Sequence, residues 1–230
     1  MSQRSRDRIL SSLEFALRFP ARDGTLCTPV KASSFPRWLV PEEHWEALET
    51  QLDDVSACLH RGNNIEEAHA LIRTILVEHS VKRVIRWSHP LLEALKIDDL
   101  IREVGVELCL PAPDGKDLPE LWADADLGIT AAEAVLVDSG TVVMKAQTGQ
   151  ERSISILPPV HLAIITTGQL LESVSSLAPL FREWLGKEGR LPSAVHLASG
   201  PSRTADIELT LVLGAHGPKA LHVLALDRAS

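Results

Sequence analysis

Four short segments of the chain combine small residues with charged or hydroxyl-bearing side chains. They cover residues 126–141, 152–161, 199–208 and 214–218. Glycine lets the backbone approach a ligand closely, and guanidinium and hydroxyl groups hydrogen-bond carboxylates and phosphates. We therefore predict that loops from these segments form a pocket for a small anionic ligand.

The third of these segments carries the most polar groups. It reads Ser199-Gly-Pro-Ser-Arg-Thr-Ala-Asp-Ile-Glu208 and follows an apolar run, Ala194–Ala198, that is typical of a buried strand. Ligands of open α/β sheets bind beyond the carboxyl ends of the strands. Arg203 is predicted to pair with the anion, and the predicted ligand contacts around it are Ser199, Gly200, Ser202, Thr204, Asp206 and Glu208. The alternative is a structural turn in which Arg203 pairs with Asp206 or Glu208.

Two histidines and one aspartate are the candidate proton-transfer groups. His161 follows Pro158-Pro159, and His216 lies within Gly214-Ala-His-Gly-Pro218, so both are expected to line the pocket with Arg152. Asp138 precedes Ser-Gly-Thr141, so it is a candidate base with Gly140 and Thr141 as ligand contacts. The alternative role for Asp138 is to accept backbone N–H groups of a turn.

The remaining titratable residues predict neither a metal site nor a bound cofactor. His196 and His222 lie inside apolar runs and are expected to be hydrogen-bonded core residues, and the other histidines show no ligand spacing. The three cysteines, Cys27, Cys58 and Cys109, form no CxxC pair, which argues against an iron–sulfur cluster or a thiolate zinc site in this chain.

Bulk properties limit the partners and the compartment. A net charge of -8 and a pI near 5.6 argue against a broad nucleic-acid surface. The sequence contains no apolar leader and no run of the roughly 20 apolar residues that span a bilayer. We expect a soluble cytoplasmic protein with reduced thiols.

The four polar segments need a scaffold that holds them in position. Three helices are predicted in the first third of the chain. Their apolar positions cover residues 9–17, 45–59 and 65–76, and the third helix opens on a capping box at Asn64 and Glu67. A long loop is expected at 21–41. From residue 83 onward, short apolar runs alternate with predicted helices at 90–102, 117–125 and 171–185. This alternation predicts a largely parallel sheet covered by helices on both faces.

The predicted fold is therefore α/β in a single domain, 1–230, with a helical part at about 1–80 and an α/β core at about 83–230. Asp138-Ser-Gly-Thr141 is a turn signal, so 134–137 and 141–146 are expected to form an antiparallel hairpin. The other predicted strands are 83–86, 104–110, 162–165, 194–198 and 221–226.

In order and spacing, the four segments resemble the LUD domain family (DUF162), of the lactate utilization protein C type. The resemblance covers about residues 83–227 and rests on Gly128-Ile-Thr, Ser139-Gly-Thr141, Leu157-Pro-Pro-Val-His161, Ser199 to Leu209, and Gly214 to Pro218. It implies a three-layer α/β/α fold like the sugar-phosphate isomerase and CoA-transferase superfamily (NagB/RpiA/CoA transferase-like).

The resemblance also implies a role in the bacterial oxidation of L-lactate to pyruvate, together with separate iron–sulfur partner proteins. This chain would be the component without clusters. The family often has Glu-Thr-Gly-Thr where this chain has Asp138-Ser-Gly-Thr141, and Gly-Ala-Asp where it has Ala131-Ala-Glu133. Both differences change the reach of a carboxylate, so the resemblance assigns no catalytic carboxylate.

Three functions remain open from the sequence. The first is a subunit of a lactate-oxidising complex that binds lactate, pyruvate or a similar small anion. The second is an independent enzyme that uses a nucleotide or a CoA ester, like 5-formyltetrahydrofolate cyclo-ligase or the CoA transferases. The third is a non-catalytic assembly subunit that docks through the apolar faces of its N-terminal helices.

Overall fold

The computed structural model describes residues 42–110, 122, 124–189, 191–205, 211–213 and 217–226. Of residues 203–205 and 211–213, the structure describes the backbone alone. The helix predicted at 9–17 and the loop predicted at 21–41 lie outside the described residues, as does most of the helix predicted at 117–125. The single-domain assignment to 1–230 stays a prediction.

The main sheet has six strands, and every pair of neighbours in it is parallel. In spatial order the strands are β1 (Cys58–Gly62), β12 (Ala220–Leu226), β7 (Val160–Thr166), β4 (Leu127–Ala131), β2 (Arg83–Arg86) and β3 (Glu107–Cys109). β4 is buried along its whole length and β12 at every residue but the first, which explains their continuous apolar runs. The predicted α/β fold with a largely parallel sheet is confirmed.

A second sheet of four strands contains the predicted hairpin. Its order is β8 (Leu170–Leu171), β5 (Ala134–Leu136), β6 (Thr141–Ala146) and β9 (Ala194–Ala198). β5 and β6 pair antiparallel, which confirms the hairpin. In addition, the backbones of β10 (Arg203–Ala205) and β11 (Leu211–Leu213) pair antiparallel.

The prediction that Ala194–Ala198 is a buried strand was wrong. β9 pairs antiparallel with β6 at one end of the second sheet, and its residues are only partly buried. Leu197 is 48% exposed. The apolar run looked like a buried parallel strand because periodicity does not distinguish a half-covered edge strand from a central one.

Five helices are described: α1 (Glu42–Asp54), α2 (Ile65–Glu78), α3 (Pro90–Ala94), α4 (Ile97–Glu103) and α5 (Leu177–Glu188). The predicted capping box is present in part: the Asn64 side chain accepts from the N–H of Glu67 at 2.8 Å, but Glu67 accepts from the backbone N–H of Asn63 and not from that of Asn64. The helix predicted to reach residue 59 ends at Asp54 instead. Ser56 adopts a φ of 60°, which breaks the helix, and Leu59 pairs with Val223 of β12.

The second sheet lies between the main sheet and α5. Val142 and Met144 of β6 belong to the same apolar core as the strands of the main sheet. Val143, on the opposite face of β6, packs in a separate cluster with Leu180 and Trp184 of α5. A sheet therefore covers part of one face of the main sheet, where the sequence predicted helices.

Candidate functional site

The first and third predicted segments meet through their hydroxyl groups. Thr141 Oγ1 lies 2.7 Å from Ser199 Oγ, and Ser139 Oγ lies 2.9 Å from the same Thr141 oxygen. Thr141 begins β6, and Ser199 directly follows the antiparallel strand β9. The fold therefore brings the Ser-Gly-Thr turn to the beginning of the Ser199 loop.

The third, fourth and second segments are linked through the backbone. The N–H of Ser202 donates to the carbonyl of Pro218 at 2.8 Å, and the N–H of Lys219 donates to the carbonyl of Pro159 at 2.7 Å. In addition, the Cα of Gly217 approaches Ser202 so closely that a Cβ there would lie 3.0 Å from the Ser202 Cβ. Contacts thus connect the four predicted segments in the order first, third, fourth and second, the last of them through Lys219, which directly follows the fourth segment.

These contacts lie at the amino ends of the parallel strands. Pro159 directly precedes β7, Lys219 directly precedes β12, and Gly200 packs on Val55 shortly before β1 begins. The expectation that the Ser199 loop lies beyond the carboxyl end of a parallel strand was wrong. The reason is that β9 belongs to the antiparallel sheet, so the loop that follows it returns toward the amino ends.

Close packing explains two glycines of these segments. A Cβ on Gly128 would lie 1.9 Å from the carbonyl oxygen of Ile154, so only glycine fits between β4 and the 152–155 turn. Gly200 has a φ of 93°, and a Cβ there would lie 2.6 Å from the carbonyl oxygen of Val55. The glycines that suggested close approach of a ligand therefore accommodate close approach of the protein's own backbone.

His161 is a buried residue between the two sheets. Its side chain is on β7, its Nε2 lies 2.9 Å from Thr130 Oγ1, and 1% of its surface is exposed. Burial, together with the neighbouring His196 and His222, lowers the pKa of His161 to about 3. The ring is therefore neutral near pH 7, and its predicted catalytic role stays a prediction.

Arg152 and His196 are close to each other at the 152–155 turn. Ser155 Oγ donates to the Arg152 carbonyl at 2.8 Å and lies 3.5 Å from Nδ1 of His196. Because the hydroxyl proton points at the carbonyl, Nδ1 must be the donor of this long hydrogen bond. Burial lowers the pKa of His196 to about 4, and the positive charge of Arg152 contributes. His196 was expected to be a hydrogen-bonded core residue, but it is only half-buried.

The remaining predicted site residues are only partly described. Asp138 is exposed at the hairpin turn, where its N–H donates to the carbonyl of Glu172 at 3.1 Å. The backbones of Arg203 and Thr204 pair with Leu213 and Val212. Asp206, Glu208 and His216 lie outside the described residues, so their predicted roles stay predictions.

A cluster of three histidines was not foreseen. His222 is 2% exposed, its Nδ1 lies 2.9 Å from Nε2 of His60, and its Nε2 lies 2.8 Å from Nε2 of His79. The core position expected for His222 is confirmed. Its two partners come from β1 and from the end of α2, so no local spacing could have revealed the cluster.

Within the described part of the chain, no three histidine, cysteine, aspartate or glutamate side chains are arranged to hold a metal ion. The histidines of the cluster direct their nitrogens at one another. Likewise, none of the described helices is long and apolar enough to cross a membrane.

The LUD domain family model matches residues 45–226 of the chain. Lactate utilization protein C of Halalkalibacterium halodurans is 32% identical over 198 residues, which cover 84% of this chain and 86% of that protein. Lactate utilization protein C of Geobacillus sp. is 29% identical over 205 residues, with 84% of each chain covered. The protein of the same name from Bacillus subtilis is 37% identical over 118 residues, 51% of this chain and 49% of that one.

One solved structure has a similar fold. It is a DUF162 family protein from Deinococcus radiodurans with a TM-score of 0.59 and 20% identity, covering 82% of this chain and 99% of that one. At this identity the likeness concerns the fold alone.

Proposed function

Since the chain belongs to the LUD domain family, we propose that it is the component without iron–sulfur clusters in a bacterial L-lactate utilization system. In this role it works beside separate iron–sulfur proteins that accept the electrons when L-lactate is oxidised to pyruvate. The observation that carries the proposal is the likeness, along most of the chain, to proteins named lactate utilization protein C.

The cysteines support the assignment of the clusters to partners. Clusters are held by cysteine thiolates, usually four of them. The chain has three cysteines, and the two that are described lie on β1 and β3, at opposite edges of the main sheet. Three cysteines are fewer than a cluster of this kind usually binds, which supports the assignment of the clusters to partner proteins.

A small anionic ligand is part of the proposal. The sequence predicts that this ligand binds among the loops around Arg152 and Arg203. The contacts among the four segments support a common loop cluster, and exposed Arg152 gives that cluster a positive charge. The tight packing of Gly128 and Gly200 favours a structural role for the same segments. Binding experiments should therefore include the Arg152→Ala variant, which removes this positive charge from the loop cluster.

The experiment that tests the function is genetic. Deletion of the gene from the organism that encodes it should abolish growth on L-lactate as the sole carbon source and leave growth on pyruvate unchanged. A plasmid copy of the gene should restore growth on L-lactate. Undiminished growth of the deletion strain on L-lactate would contradict the proposal.

A second experiment separates this function from the enzyme alternative. An affinity-tagged copy expressed in the native organism should co-purify proteins that show iron–sulfur absorbance. Turnover of ATP or of a CoA ester by the purified chain, without these proteins, would support an independent enzyme instead.

A further inference from the structure

The histidine cluster (His60, His79 and His222) connects three elements on one face of the main sheet. His60 lies on β1 and His222 on the neighbouring strand β12, while His79 ends α2. Cys58 is the register partner of His222, so His60, two residues further along β1, lies on the same face of the sheet as His222. The cluster thus links the end of α2 to an edge strand and to an inner strand.

Both ring nitrogens of His222 face a nitrogen of another histidine. Nδ1 of His222 lies 2.9 Å from Nε2 of His60, and the two ring planes are 24° apart. Nε2 of His222 lies 2.8 Å from Nε2 of His79, whose ring plane is 76° from that of His222. The three rings therefore form one chain of two N–H···N hydrogen bonds, with His222 in the middle.

The geometry of this chain limits the number of protons that it can hold. Each of the two contacts has room for one proton between its nitrogens, because two N–H groups that faced each other would repel. The outward Nδ1 atoms of His60 and His79 can carry one proton each, so the intact chain holds four protons at most. Three neutral rings already carry three protons. The intact chain therefore accepts one additional proton, and a second one must break a contact with His222.

The surroundings of the cluster disfavour even the first additional proton. His222 is buried, and an imidazolium there would lose its hydration beside two more titratable rings. Burial also lowers the pKa of His60, and the carboxylate of Glu78, next to His79, opposes this shift. Further titratable side chains around the cluster come from the elements packed against it: Cys58 of β1, Asp53 of α1 and, on the opposite face of the sheet, His161 of β7. Positive charge is thus easier to place on a histidine that has left the cluster.

His79 is the histidine that can leave at the lowest cost. His60 is held in β1, every residue of which pairs with β12. His79 instead caps the end of α2, and the next residue, Ser80, has a φ of 50°, which interrupts the helix. The helix dipole also favours a positive charge at the C-terminus of a helix. An imidazolium at His79 is therefore stabilised once its ring has moved into water.

We propose that the histidine cluster is a pH switch that controls the attachment of α2 to the main sheet. While the rings are neutral, the two hydrogen bonds hold the end of α2 against β12. Uptake of protons in acid releases His79 from His222 and frees the end of α2, and the pairing of β1 with β12 remains. The inference goes beyond the proposed function and does not depend on it.

Hydrogen exchange of the purified full chain, measured by NMR, tests the switch. The N–H groups of His79, Ser80 and Val81 donate to carbonyls of the last two turns of α2 at 2.9–3.1 Å, so their exchange reports the release of the helix end. Below about pH 6.5, the ordinary pKa of a histidine, their protection factors should fall by up to about tenfold per pH unit, the effect of one proton taken up on opening. Unchanged protection factors down to about pH 5 would overturn the switch.

Low concentrations of urea distinguish local release from unfolding of the whole domain, and this measurement needs no variant. Exchange through a local opening exposes little surface and should not depend on urea, whereas exchange through global unfolding should accelerate with urea. The N–H of Ala132, which donates to the Ile164 carbonyl between β4 and β7, reports global unfolding. If exchange of Ser80 and Val81 in acid accelerates with urea as much as that of Ala132, the switch is overturned.

A pair of variants on α2 assigns the effect to His79. His79→Gln keeps a side chain that can hydrogen-bond His222 but does not titrate, so the protection factors of Ser80 and Val81 should lose most of their dependence on pH. His69→Gln is the matched control, because His69 lies on the same helix and contacts the Leu95 carbonyl at 2.7 Å, outside the cluster. This control should keep the wild-type dependence. A wild-type dependence in His79→Gln would overturn the switch.

Discussion

Thr141 and Ser199 share a hydrogen bond of 2.7 Å across 58 residues of sequence. The bond joins the hairpin turn to the loop after β9, and Ser139 extends it to three hydroxyl groups. This contact is the most direct evidence that two of the segments predicted to act together lie together.

The strength of this contact can be measured with a double-mutant cycle. In Thr141→Val, Ser199→Ala and the double variant, urea unfolding should give a coupling free energy of about 1 kcal/mol, as for a partly buried hydrogen bond. The exposed pair Ser173 and Ser175, also 2.7 Å apart, serves as the control and should give about 0.3 kcal/mol or less. Equal coupling in the two pairs would contradict a specific role for Thr141 and Ser199.

Gly128→Ala should be strongly destabilising. The new methyl group would lie 1.9 Å from the carbonyl oxygen of Ile154, and neither strand β4 nor the backbone of the turn can move away easily. We expect a loss of about 3 kcal/mol in the free energy of unfolding, the upper end of the usual range for overpacking. Gly168→Ala has no atom within 4 Å of its new methyl group and should change stability by about 0.5 kcal/mol or less. Equal stability of the two variants would contradict the packing at Gly128.

The histidine cluster should make stability depend on acid pH. Burial, together with the neighbouring His60 and His79, lowers the pKa of His222 to about 4 from an ordinary value of 6.5. The unfolded chain therefore takes up this proton first, so stability is full above pH 6.5 and falls between pH 6.5 and pH 4.

His222→Gln tests this dependence, because it removes the titration and keeps hydrogen-bonding groups. Urea unfolding between pH 7 and pH 4 should give a flatter profile for the variant than for the wild type. Part of the slope should remain, because the pKa values of His161 and His196 are also lowered, to about 3 and about 4. If the free energy of unfolding depends on pH equally in the variant and in the wild type, His222 is not the group that titrates.

Arg152→Ala should raise the pKa of His196. Burial is the larger cause of the present value of about 4, and the Arg152 charge is the second, so the pKa should rise and stay below 6.5. An NMR titration of the imidazole protons measures it directly. Arg182→Ala, an exposed site on α5, should leave the pKa unchanged. No shift in Arg152→Ala would mean that the two side chains are farther apart in solution.

The sequence predicted the elements whose signals are local. The N-cap at Asn64, the hairpin at 134–146 and the strand Arg83–Arg86 each depend on residues a few positions apart, and the structure has all of them. The helix predicted to reach residue 59 failed because Leu59 continues the helical apolar spacing by coincidence. Its position is decided instead by pairing with Val223, which is a long-range contact.

The candidate site was harder to predict, because its location depends on topology. The four polar segments do meet, but at the amino ends of the strands, since β9 belongs to the antiparallel sheet.

The position of β12 in the middle of the main sheet has a consequence for synthesis. β1 and β7 both pair with β12, whose last residue is Leu226. During synthesis, β1 and β7 are made before β12, the strand that pairs with both of them. Until β12 is made, the apolar surfaces of β1 and of this edge of β7 remain exposed, where chaperones can bind them or aggregation can begin. The main sheet closes only after β12 has emerged, and β12 is far from β1 in sequence, so folding of the main sheet is expected to be slow.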